Sequence, residues 1–96
     1  MTNTPLAPDE IQSALFARMV MQLTSTAMVL MGRMPNPITG KTETDLDGAS
    51  LFIEQLEMLE LKTKGNLTGE EMHLLKQNLV AVRMGYVEAV GKAGGK

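Results

Sequence analysis

Cysteine is missing from the chain, and with it go disulfides, thiolate metal ligands and cysteine nucleophiles. A single histidine, His73, is too few for a protein-only zinc site of the usual kind. Tryptophan is absent, and Phe16, Phe52 and Tyr86 are the only aromatic residues. Neither sign of charge dominates, since nine basic residues interleave with eleven acidic ones. Nucleic-acid binding calls for a basic patch, with aromatic side chains where unpaired bases stack, so that class is set aside. The opening residues carry no Lys or Arg, so no secretory signal is expected. The apolar run from Met19 to Met31 is short for a bilayer crossing, and Gln22, Thr24, Ser25 and Thr26 interrupt it. A soluble cytoplasmic protein, with no membrane partner, is the expectation.

What is present is enough for one domain of 96 residues. Below roughly 70–80 residues a single core supplies only about 3–5 kcal/mol, so small domains need a staple. Residues 1–8, rich in Thr, Asn and Pro, read as a flexible tail, and 91–96 as a disordered one, which brings the ordered part (9–90) close to that limit. With no disulfide and no metal, association between copies is the staple that remains.

No stretch alternates like a half-buried strand, and the periodicity predicts an all-α fold of three helices, at about 9–31, 45–64 and 68–90. Asp9 and Glu10 suit the start of the first, and Gly32 its end. Its apolar residues form no single stripe: Ile11, Leu15, Met19, Leu23 and Leu30 share one face, Phe16, Val20 and Ala27 lie beside it, and Met21 and Met28 extend the apolar surface further round. A helix apolar almost all round is buried on most sides. Two further helices cannot supply that cover, so a second copy is expected to. The second helix should be capped by Asp45 and stopped by Gly65, with Leu46, Ala49, Phe52, Ile53, Leu56 and Leu59 on one face. Leu51 and Met58 fall away from that face, as ordinary surface hydrophobes or as a ridge for a partner. The third opens on a capping box, Thr68-Gly69-Glu70-Glu71, and carries a seam of Met72, Leu75, Leu79, Val82, Tyr86 and Ala89 before Gly91 breaks it. The short turn between the last two helices predicts an antiparallel hairpin.

The stretch MPNPITGKT, residues 34–42, ends like a nucleotide-binding P-loop. That motif needs Gly-x-x-x-x-Gly-Lys-Ser/Thr after a strand, with a helix opening at the Lys. Pro35 stands where the first glycine should, a helix precedes, and three more residues follow Lys41 before the next helix begins. The motif fails. A stiff connector is the plainer account, with a recognition loop as the functional one.

Asn66-Leu67-Thr68 reads as a turn and cap, and His73 as a solvated residue. Arg83 is expected to form a structural, register-setting ion pair with Glu57 or Glu60. Nine methionines suit both core filling and adaptable contact surface. Core filling is the plainer account of Met19, Met72 and Met28, although Met19 and Met28 also belong to the interface set through their helix. The expected interface therefore comprises Met19, Met21, Met28, Met31, Leu51, Met58 and Met84. The alternative is a small-ligand or anion-binding module, as such or as an enzyme subunit, which would use Asn36, Lys41, Lys62, Lys64 and Asn66 on the two Lys-bearing turns.

Most of the chain, tails excluded, resembles a bacterial family known as domain of unknown function 1844. The resemblance lies in Gly32 with Pro35 to Glu43 (PNPITGKTE), in Leu56 to Leu59 (LEML), in Lys62 to Thr68 (KTKGNLT), and in Arg83-Met84 and Tyr86-Val87. Gly69 and Leu61 depart mildly from the pattern. The resemblance implies a small helical bacterial protein and brings no activity, substrate or catalytic residue. The combined expectation is a non-enzymatic homo-oligomer without cofactor or metal, a two-fold dimer or a tetramer of dimers, open to a further protein partner.

Overall fold

A computed structural model describes residues 8–94, which form three α-helices in the order α1 (Pro8–Leu30), α2 (Leu46–Lys62) and α3 (Gly69–Gly94). The expectations for residues 1–7, 95 and 96 lie outside the described residues.

Each helix begins and ends for local chemical reasons. Pro8 opens α1, where its missing N–H costs no helical bond, and Asp9 and Glu10 follow in the first turn. Gly32, at φ 80°, ends it: its N–H donates to the Val29 carbonyl while the Arg33 N–H donates to that of Met28, the paired bonds of a Schellman cap. A Cβ at Gly32 would stand 2.6 Å from the Thr44 hydroxyl. The Asp45 N–H then donates to the Leu30 carbonyl at 2.7 Å, tying the start of α2 to the end of α1. The Asp45 carboxylate accepts from the Gly48 N–H at 3.0 Å, as the sequence predicts. At the other end of α2, Gly65 takes φ 81°.

α3 opens on the predicted capping box. The Thr68 hydroxyl accepts from the Glu71 N–H at 3.1 Å, and the Glu71 carboxylate accepts from the Thr68 N–H at 2.9 Å. The second carboxylate oxygen of Glu71 accepts from the Ser13 hydroxyl, which joins the early turns of α1 to the start of α3. The expected break at Gly91 does not occur, and the helix runs on to Gly94. One glycine among good helix formers costs only about 1 kcal/mol relative to alanine, too little to end a helix that is otherwise supported.

Each helix packs on both others. Val20 and Ala27 of α1, Ala49, Ile53 and Leu56 of α2, and Leu75, Leu79, Val82 and Ala89 of α3 meet in one core. The apolar face of α2 and the seam of α3 are as predicted, except that Met72 at the seam's start is 39% exposed. Gly85 is buried on α3, where a Cβ would meet the Met31 sulfur at 3.0 Å and the Arg33 side chain at 3.1 Å. The radius of gyration, 15.8 Å, exceeds the roughly 12.5 Å of a compact domain of this length.

Candidate functional site

Acid–base chemistry has little to work with here. Among the described residues no three His, Asp or Glu side chains gather as metal ligands. Among the described residues Glu71 stands out, its carboxyl lying below its ordinary value because the Ser13 hydroxyl and then the Thr68 N–H hydrogen-bond its charged form. That perturbation comes from a helix cap. Arg83 does pair with Glu57, at 3.0 Å, with the two side chains 48% and 43% exposed, so the pair is a surface one. Glu60 is not its partner and faces a cleft instead. A second surface pair, Arg33 with Glu88, ties the residues after α1 to the end of α3.

The loop holding the P-loop-like letters spends four of its amides on itself. The Asn36 N–H donates to the Lys41 carbonyl at 2.8 Å, and the Gly40 N–H to the Asn36 carbonyl at 2.7 Å. The Asn36 side chain accepts from the Ile38 N–H at 2.8 Å, and the Thr39 hydroxyl from the Lys41 N–H at 3.2 Å. Gly40 closes the turn at φ 74°. A phosphate cradle needs such amides pointing outward. Asn36 is therefore the knot of the loop rather than a ligand-facing side chain, and the loop displays Ile38, 92% exposed, at its tip.

Lys41 and Asn36 do not join Lys62, Lys64 and Asn66 in one site. The two turns flank opposite ends of α2, whose 17 residues span about 25 Å. Lys64 instead lines a cleft of about 300 Å³ between the end of α2 and the start of α3, with Glu60, Leu61, Leu67, Met72, Leu75 and Lys76.

Apolar surface is the commoner feature. α1 buries only Val20 and Ala27 fully. Ile11, Leu15 and Met19, spaced by four, are 42%, 56% and 40% exposed, and Met21 is 55% exposed. Met19 is thus not the core filler that its side-chain type suggests. Leu51, Met58 and Met84 of the expected interface are exposed as well, and Met28 is half-buried against the core. Met31 is the correction: it is 4% exposed. The turn that leaves α1 folds it inward over Gly85, where the absent side chain makes room for the thioether. By length and composition alone α1, taken from Pro8, is long enough to cross a bilayer, which the run from Met19 is not. The chain exposes 6871 Å², against about 5400 Å² for a compact monomer of 10.4 kDa.

Residues 13–88 match the model of the family described as Domain of unknown function (DUF1844). No curated protein and no solved structure matches the chain.

Proposed function

The chain belongs to the DUF1844 family, whose description assigns no activity, and from that premise we propose a non-enzymatic interaction module that works as a homo-oligomer in the cytoplasm. The observation that carries this reading is α1, apolar enough by composition for a bilayer yet with only Val20 and Ala27 fully covered by its own chain. Ile11, Leu15 and Met19 form the centre of the contact, and the exposed Leu51 and Met58 of α2 assist it. Between Glu10 and Arg33 the only charged residue is Arg18, so two copies of this helix meet with little repulsion. A closed two-fold dimer is the simplest assembly that uses one patch against itself, and pairs of such dimers would give a tetramer.

A ligand site shared by both Lys-bearing turns is disfavoured by the length of α2 between them. Light scattering over a dilution series, with helicity followed on the same samples, tests the proposal. A dimer or larger species that loses helicity as it dissociates is expected. A folded monomer at every concentration would overturn it and make another cover for α1, a membrane or a partner protein, the leading reading.

A further inference from the structure

The cleft at the junction of α2 and α3 has a composition that the oligomer does not use. Leu75 forms its floor at 1% exposure, and Leu67 is half-buried beside it. Leu61 and Met72 form lips, 74% and 39% exposed. The Thr63 hydroxyl, also on the wall, already donates to the Leu59 carbonyl at 2.6 Å. The remaining polar groups are the ammonium groups of Lys64 and Lys76 and the carboxylate of Glu60.

Among the described residues two unpaired cations line this cleft, while Arg18 and Lys92 each stand as a single unpaired cation beside another concavity. Arg33 and Arg83 each hold a glutamate, whereas neither Lys64 nor Lys76 has an ion-pair partner among the described residues. The cleft therefore combines an apolar floor with a net excess of one positive charge at its rim. Its volume, about 300 Å³, stands at the lower end of small-molecule sites.

We infer that this cleft binds a small aliphatic monocarboxylate. The tail lies on Leu67 and Leu75 under the lips of Leu61 and Met72, and the carboxylate lies between Lys64 and Lys76. Charge-assisted hydrogen bonds to two ammonium groups supply the preference for an anion. Glu60 disfavours a second negative charge on the ligand, which sets a monoanion above a phosphate monoester or a dicarboxylate. An alkylammonium would meet two like charges for one opposite charge. The site is independent of the α1 contact, since no residue of α1 lines it.

Sodium hexanoate titrated into the full chain, followed by amide nitrogen–proton NMR shifts, provides the test. Saturable shifts confined to the last turn of α2, the turn at 63–68 and the neighbouring turns of α3 are expected. Hexan-1-ol and hexylammonium should each bind about tenfold more weakly or worse, the scale of one lost charge-assisted bond, and acetate likewise, for want of the methylenes that lie on the apolar floor. The double variant Lys64→Gln, Lys76→Gln changes two exposed residues and should keep its helicity while losing about tenfold in affinity. Lys41→Gln, beyond the far end of α2, should bind as the parent does. Absence of a saturable hexanoate shift, equal binding of hexan-1-ol, or an unaffected double variant would each overturn the inference. Light scattering on the same samples keeps this outcome separate from that of the oligomer.

Discussion

α1 and α3 reach their burial in opposite ways. α3 carries charged and polar residues through most of its length, yet its seam places Leu75, Leu79, Val82 and Ala89 in the core. α1 is far more apolar between Glu10 and Arg33, yet fully buries only two residues. Composition sets how much surface a helix would hide, while the neighbours set how much it can. A narrow seam is matched by two helices, whereas an all-round apolar helix needs cover on more sides than this chain supplies. α3 leaves Val80, Met84 and Val87 exposed too, but there Arg83 and Glu88 stand beside them.

Mutation can break or sharpen that contrast. The largest effect is expected at Leu56, which is 0% exposed. Leu56→Ala should lose about 2–5 kcal/mol in urea unfolding followed by far-UV circular dichroism. The contrast would collapse if Leu15→Ala cost as much at every protein concentration. Next comes assembly: Leu15→Gln with Met19→Gln should raise the dissociation constant about tenfold or more in light scattering. The same exchange at Val80 and Val87 should leave the assembly unchanged, which would localise the contact to α1.

A smaller effect belongs to the start of α3. Thr68→Ala removes one half of the capping box and should cost about 1 kcal/mol of stability. Glu71 adds a pH dependence of known sign. Its folded pKa lies below 4.5, so its contribution is complete above the unfolded value and is lost as the pH falls through the folded one. Glu71→Gln should flatten the acid limb of urea midpoint against pH. The smallest effect is at Arg83 and Glu57: their coupling in a double-mutant cycle should be under about 1 kcal/mol, because both side chains are well exposed.

Local and periodic signals made much of this structure readable in advance. The Asp45 cap, the capping box and the positive-φ glycines are contacts within a few residues, and sequence spacing encodes them directly. The buried faces of α2 and α3 follow because polar residues mark what is not buried. α1 offers no such marker, so Met19, Met28 and Met31 could not be sorted by pattern: one is exposed, one half-buried and one in the core. Met31 is settled by Gly85, 54 positions away in sequence, whose missing side chain admits it. Ser13 reaching Glu71 is equally non-local. The two turns looked like one site because sequence does not display the length of rod that parts them. The cleft went unread for a related reason, since Leu61 and Lys76 become neighbours only once the chain has turned.

The loop from Met31 to Asp45 has a consequence for how the protein is digested. A long connector is ordinarily the first place that a protease cuts, because its backbone can be drawn out into the extended form that a cleft accepts. Lys41 offers trypsin an exposed side chain, but its N–H donates to Thr39 and its carbonyl accepts from Asn36. The peptide bond after Lys41 can enter an active site only when that small turn opens. Its cleavage rate therefore reports the opening of the Asn36 knot and not the reach of the connector. The longest connector in the fold acts as a latch, and its lifetime under trypsin is the lifetime of the latch.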